Sequence, residues 1–478
     1  MSEQIVIFGA SGGGERVART LLSLNIDFSF LVDNDKKKWG QELEGKLICS
    51  PEQLLSDGCN YRIIIASEYQ KEIEAQLEEM GLVDRIVEKE KYITAYVDTH
   101  LSDYEYLRNK DIIIHEEKRV FIDLLEGVKL GGVETWSFTV ARGLLEHGAR
   151  VQILSTKTDE LPPENLINTI IDTDASYEDY WGTVNRIVDI ITYNLPCAII
   201  INKQTQALYA GYIAKHYFPN QVKLISVVHN DLISFYRRQN ALIDYIDAVI
   251  CVSMDIKERF IKEFDFPEEK LFYKESAVDF NAEYVKEYTL DSKKPICIGF
   301  AARIAKAQKR ADLLIPLIKG LEEKHINYWL TIAGNGPYYP VIEEYVREKN
   351  LSDRVRLLGQ INRESIKDFW KEQDLFISLS DYEGSSLSML EAMSYGVVPV
   401  ETNVSGANEF IKSGVNGFIC ETGNVSQILQ YIIYLEQRRE LLCNFGSISR
   451  EKIRVKCNKD DYINYILDLV RQRKGCIS

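Results

Sequence analysis

No uninterrupted apolar run in this 478-residue sequence approaches the length needed to span a bilayer. None of its nine cysteines (Cys49, Cys59, Cys197, Cys251, Cys297, Cys420, Cys443, Cys457 and Cys476) forms a C-x-x-C pair. Zinc spacings are therefore missing, and the cysteines read as reduced thiols that mostly serve packing. Positive charge is also short: 57 basic against 72 acidic residues give a net charge of −15. That balance argues against a general nucleic-acid binder and disfavours a protein bound strongly to an anionic membrane. Short internal repeats and low-complexity segments are absent. The first residues run straight into an apolar strand, Gln4-Ile-Val-Ile-Phe8, so no signal peptide is expected and the expected location is cytoplasmic.

What remains is an ordinary globular composition, 45% apolar and 27% charged, in a chain long enough for about three domains. The first unit, expected over 1–100, opens with the strand Ile5–Phe8. The turn Gly9-Ala-Ser11-Gly12-Gly13-Gly14 follows, then a helix with Val17, Leu21 and Leu22 on one face. A second strand ends in Asp33-Asn34-Asp35. A glycine-rich turn between strand and helix lets backbone approach a phosphate, and an acid about twenty residues later can take ribose hydroxyls. Gly9, Ser11, Gly12, Gly13, Gly14 and Asp33 are therefore candidate nucleotide-binding residues. Glu15 and Val17 stand where a complete dinucleotide fingerprint needs glycine, which argues against a tightly held nicotinamide. This segment resembles the small nucleotide-sugar-binding domain of sugar acyltransferases. The alternative is an unliganded fold whose glycines serve only the turn.

Residues 101–117 are polar and tyrosine-rich and read as a linker. A second α/β unit, 118–290, begins with Arg119–Asp123, followed by Gly131-Gly132-Val133-Glu134 and a helix. Paired glycines let backbone lie against a bound diphosphate or sugar. The later strand Leu224–Val228 ends in His229-Asn230, a histidine just past the carboxyl end of a parallel strand, where α/β folds bind ligands. A third unit, 291–455, opens with Ile296–Phe300 and a loop holding Arg303, Lys306, Lys309 and Arg310. Arginine offers phosphate a planar fork and lysine a mobile point charge. Gly334-Asn335-Gly336-Pro337 closes the next strand.

The most informative stretch is Asp381-Tyr-Glu383-Gly384-Ser385-Ser386-Leu387-Ser-Met-Leu-Glu391. It follows the apolar run Leu375–Leu379, and Leu387, Leu390, Met393 and Tyr395 then recur at helical spacing. Strand, small-residue turn and helix aim unpaired N–H groups at an anion. Carboxylates before and within the helix suit a polyhydroxylated, phosphorylated ligand. The last segment, 456–478, carries an amphipathic helix.

Glu383-x7-Glu391 resembles the Glu-x7-Glu motif of retaining glycosyltransferases of family 4. Gly131-Gly132-Val-Glu134, the Arg303…Lys309 loop and Gly334-Asn335-Gly336-Pro337 are similar to that family's segments, in the same order. Together the resemblance covers about 118–470 and implies an α/β, GT-B fold: two Rossmann-like domains facing a cleft. The third, small Rossmann-like domain precedes them, and the terminal helix crosses back to the first transferase domain. The implied reaction moves a sugar from a nucleotide diphosphate sugar, UDP- or GDP-linked, to an acceptor hydroxyl with retention. Arg303 and Lys309 would neutralise the leaving diphosphate, although the spacing leaves Lys306 or Arg310 as substitutes for Lys309. Gly384, Ser385, Ser386 and Leu387 would add N–H groups, Glu391 would hold the ribose, and Glu383 would face the donor sugar. Gly131, Gly132 and His229 would complete the site, and Asn335 would join the donor-binding set.

No cofactor and no metal is expected; Asp33-Asn-Asp35 and Asp172-Thr-Asp174 match a metal-binding D-x-D pattern only as short acidic turns. The acceptor class implied is a glycan, a lipid-linked sugar or a protein, in polysaccharide, glycolipid or glycoprotein synthesis. A lipid-linked acceptor would require peripheral contact at the inner face of the membrane. Nothing in the sequence fixes an oligomeric state. Two rivals stand beside this reading: a nucleotide-sugar sensor or scaffold with an inactive transferase half, and an NAD-dependent oxidoreductase or epimerase led by the N-terminal domain.

Overall fold

The computed structural model describes residues 4–56, 60–110, 112–129, 131–156, 162–203 and 205–471. Cys59 and Cys476 lie outside the described residues. Short apolar strands alternate with helices along the whole chain, as expected of parallel sheets buried on both faces.

By internal packing the chain forms two compact units. The first holds residues 1–128, 149–226 and 233–247. Its N-terminal sheet comprises β1 (Gln4–Phe8), β2 (Phe30–Val32), β3 (Glu42–Leu43), β4 (Lys46–Cys49) and β5 (Tyr61–Ile65), in the order β3-β4-β2-β1-β5. All neighbours are parallel except the β3–β4 pair. Its next strands are β6 (Arg119–Leu124), β7 (Arg150–Ser155), β8 (Ile170–Asp172), β9 (Cys197–Ile201) and β10 (Val222–Val228). They lie parallel in the order β10-β9-β6-β7-β8.

Residues 101–108 are not a linker loop. They form a 3-10 helix, Leu101–Arg108, directly after the helix Glu90–His100, with Tyr104 and Leu107 buried. Tyr104, one of the tyrosines that made the segment look polar, anchors it, and tyrosines of the flanking helices add to the contact. Tyr104 Oη donates to Asn185, and the Tyr96 ring meets Trp181 edge-on at 5.0 Å. Tyr209 Oη donates to the Glu90 carbonyl at 3.1 Å and lies 2.9 Å from Thr94 Oγ1. Arg237 pairs with Glu74 at 2.9 Å, and Arg19 with Glu178. The N-terminal domain is thus docked on the helices Tyr180–Thr192 and Thr205–Tyr217 by aromatic hydroxyls and ion pairs.

The second unit holds 129–148, 227–232 and 248–478. It contains the parallel pair β11 (Ala248–Cys251) and β12 (Leu271–Tyr273). It also contains the sheet of β13 (Ile296–Ala301), β14 (Tyr328–Ala333), β15 (Val355–Gly359), β16 (Leu375–Ile377), β17 (Val398–Thr402) and β18 (Phe418–Cys420). The order is β15-β14-β13-β16-β17-β18, parallel throughout. One core cluster gathers Ile298, Phe300, Leu330, Ile332, Leu375 and Val400; another lies under the helix Leu387–Ser394, with Trp370, Phe376, Leu390 and Met393.

The division by packing differs from the expected boundaries at 118, 290 and 455. Segments 129–148 and 227–232 pack with the C-terminal part of the chain. The helix Gly132–Glu146 meets the terminal helix Lys459–Arg471 closely: Trp136 Nε1 donates to Tyr462 Oη at 2.8 Å, and Ile463 fills the space left by Gly143.

Candidate functional site

β16 leads into the loop Ser378–Ser386 and then into the helix Leu387–Ser394. Ser386 caps that helix, its hydroxyl accepting from Met389 N at 3.4 Å. Antiparallel pairing joins Gly384 to Asn230, and Asp231 N donates to the Glu383 carbonyl at 3.2 Å. This approach requires glycine at 384, because a Cβ there would run into the His229 carbonyl oxygen. His229 itself meets the Trp136 ring edge-on at 5.2 Å.

Glu383 is 5% exposed and well supported. Its Oε1 accepts from Ser380 Oγ at 2.7 Å and pairs with Lys309 Nζ; its Oε2 lies 3.3 Å from Gln308 Nε2. Gln308 also reaches Asn230 Oδ1 at 3.2 Å, and its carbonyl accepts from Asp381 N at 2.8 Å. Lys309, one of the candidate cations, meets Glu383 directly. Arg310 is turned into pairs with Asp381 and Asp312, and Lys306 lies over the Tyr338 ring at 5.0 Å. Arg303 is exposed, two residues past β13.

Gly131 caps the helix Gly132–Glu146, and the buried Glu134 folds back over it. A Cβ on Gly132 would lie 3.5 Å from Leu387 Cδ1. Two helix N-termini, at 131–132 and 386–387, therefore adjoin, each with orphan N–H groups and a positive dipole end. Asn335 is committed locally: its Oδ1 accepts from Gly336 N at 2.8 Å and its carbonyl from Ile304 N at 2.9 Å. Ser385 Oγ is buried without a partner.

Burial raises the Glu391 carboxyl to about 7; the nearby Trp370 indole opposes the shift and Asp279 adds to it. The Trp370 Nε1–H is itself buried without a hydrogen-bond acceptor. A carboxyl on the border of ionisation can accept a hydrogen bond from a ligand hydroxyl or donate one to it.

The N-terminal glycine loop has less to offer a ligand. A Cβ on Gly13 would meet the Ala66 carbonyl oxygen at 2.5 Å, and one on Gly14 would strike that of Gly9; only Gly12 faces open space. Asp33 accepts from Ala10 N at 2.7 Å, Asp35 N at 2.8 Å and Lys38 Nζ at 2.9 Å. Its carboxyl is held below the usual range by these bonds, against the opposing pull of burial. Among the described residues no group of three or more His, Cys, Asp or Glu is placed to hold a metal ion. In the D-x-D turn at Asp172, the carboxylate accepts from Asp174 N at 3.0 Å.

Residue-by-residue reading missed Gln308, Ser380 and Trp370, which look unremarkable in sequence. It also missed Glu401, fully buried at 0% exposure on β17, with both oxygens unpartnered. An acid directly after the apolar run Val397–Val400, still on the buried strand, was the available signal for it.

Fold and site define a GT-B glycosyltransferase core behind an additional Rossmann-like domain. Residues 281–452 match the family model for glycosyl transferases group 1, and 130–280 that for glycosyltransferase family 4. Residues 1–88 match a model described as C2185-like, N-terminal. The two transferase models together assign residues 130–452 to the family 4 type of glycosyltransferase. It is 26% identical over 263 residues to N-acetyl-alpha-D-glucosaminyl L-malate synthase of Bacillus anthracis, covering 51% of this chain and 66% of that enzyme. Over 175 residues it is 30% identical to poly(ribitol-phosphate) alpha-N-acetylglucosaminyltransferase of Staphylococcus aureus (strain COL), 36% of this chain and 34% of that one. The chain thus spans less than two thirds of either relative. The crystal structure of Anabaena HepE in complex with UDP-glucose shares the fold, with a TM-score of 0.62 and 17% identity over 74% of this chain and 100% of that one.

Proposed function

We propose that this protein is a retaining, metal-independent glycosyltransferase that takes a sugar from a uridine diphosphate sugar, N-acetylglucosamine being the first candidate. The observation that carries the reading is the Lys309–Glu383 pair set beside two adjoining helix N-termini. A diphosphate needs countercharge and N–H donors where its charge develops as the bond to the anomeric carbon breaks. Lys309 supplies the first, assisted by Arg303, and the N–H groups at 385–387 and 131–132 supply the second. Glu383 then faces the sugar and stabilises positive charge near the anomeric carbon. Glu391 accepts hydrogen bonds from the ribose, and His229 closes the site at Gly384. The acceptor hydroxyl attacks from the face the diphosphate leaves, and a phosphate oxygen takes its proton. Glucosaminyl products in the relatives' names and UDP-glucose in the structural neighbour support this choice of donor.

The test is a thermal-shift screen of the full chain against UDP, GDP, ADP, their sugars and NAD(H), with Glu391→Ala and Lys309→Ala alongside. A ligand that binds only the native state raises the melting midpoint. UDP-sugars should give the largest shift. Glu391→Ala should weaken it roughly tenfold or more in affinity, as expected for lost hydrogen bonds to a charged group. Lys309→Ala should cost about 10²–10³ in turnover, the scale of a lost electrostatic contact to a developing anion. A shift with NAD(H) alone would overturn the reading in favour of an N-terminal dehydrogenase. UDP-sugar binding with no turnover on any acceptor would favour a sensor.

A further inference from the structure

We propose that Glu401 is a positioning residue of the donor site: an uncharged, buried acid that keeps Glu383 ionised on Lys309. The inference rests on the donor-site reading above. Glu401 is 0% exposed, and neither carboxyl oxygen has a hydrogen-bond partner. An ionised carboxylate in that position would have lost its hydration and gained too little in return. Its surroundings belong to the site. Glu383 and Lys309 are the charged groups that act on it, and the Ser386 and Ser378 hydroxyls lie beside it. Ser386 caps the helix behind the Gly384 turn, and Ser378 Oγ lies 3.4 Å from Ser380 Oγ, which in turn donates to Glu383.

One lysine stands against two buried carboxyls. Glu383 has Lys309, Ser380 and Gln308, whereas Glu401 has only the neutral Ser386 and Ser378 hydroxyls beside it, so the proton falls to Glu401. Burial, then the charge of Glu383, push Glu401 up to about 8; Ser386, Lys309 and Ser378 oppose them. When a diphosphate draws Lys309 away, Glu383 remains a carboxylate of fixed orientation only while its neighbour stays neutral. Ionising Glu401 would set two like charges in one dry pocket and displace Glu383.

The experiment compares the full-length wild type with Glu401→Gln. The infrared difference spectrum at about pH 6 should contain a protonated-carboxyl band that the variant lacks. The sign of the stability effect follows from the raised pKa. The folded protein holds a proton that the unfolded chain releases near 4.5, so wild-type stability falls as pH climbs from there to about 8. The variant lacks that slope. Its melting midpoint should gain on the wild type by roughly 2–4 °C between about pH 5 and about pH 8. In calorimetry with UDP, wild-type affinity should drop as pH passes about 8, and the variant should not show that drop. A midpoint difference that is flat with pH, or UDP affinity with the same pH profile in both proteins, would overturn the role of Glu401. Failure of UDP, GDP and ADP alike to bind the wild type would instead overturn the donor-site reading, even with the band and the slope present.

Discussion

Glu391 has a proton to lose near neutrality, and this sets a direction for donor binding. Buried, its carboxyl is raised to about 7, so it is largely neutral at mildly acid pH and ionised above. If it accepts hydrogen bonds from ribose, nucleotide affinity rises as pH climbs through about 7, before the fall that Glu401 sets past about 8. Glu391→Gln should bind more weakly and show no such rise, which calorimetry between about pH 6 and pH 8 would reveal. Gly384 is a steric requirement of a different kind. Its missing Cβ is what lets the His229 carbonyl approach, so Gly384→Ala must separate the two segments or distort both. The expected outcome is loss of nucleotide binding together with destabilisation of about 1–3 kcal/mol, typical of forced overpacking, readable by denaturant titration.

At the scale of elements, the strand-turn-helix around Glu383 was legible because an apolar strand, small residues and a helical period follow one another without interruption. That helix opens at Leu387, the first residue of the helical period, and is capped by Ser386. Replacing it with alanine should cost about 1 kcal/mol through the lost cap, and somewhat more if it also supports Glu401. Which cation meets Glu383 was not legible. Gln308 and Arg310 have left-handed backbone, with φ of 62° and 47°, so neighbouring side chains in this loop diverge abruptly. No spacing rule predicts that Lys309 turns toward Glu383 while Arg310 turns to Asp381. The 3-10 helix at 101–108 was missed for another reason. Tyrosine counts as polar in a composition reading, yet the Tyr104 ring is buried and only its hydroxyl needs a partner.

For the whole molecule, the tyrosine-mediated docking changes what truncation can report. Removing residues 1–108 would bare the surfaces around Tyr209, Trp181 and Asn185 that the N-terminal segment covers. Such a truncation should aggregate or melt at a clearly lower temperature. Arg237→Ala, which breaks one ion pair with Glu74, should by contrast cost no more than about 1 kcal/mol. Light scattering and melting curves of the two proteins would separate the cases. The N-terminal domain is therefore a structural partner of the transferase, whatever ligand it takes.

The second unit gathers 129–148, 227–232 and the entire C-terminal part, so Gly132, His229, Lys309, Glu383 and Glu391 all belong to one compact unit. Nucleotide capture should then be a single encounter without a preceding isomerisation. In stopped-flow mixing, the observed rate should climb in proportion to nucleotide concentration and never reach a plateau.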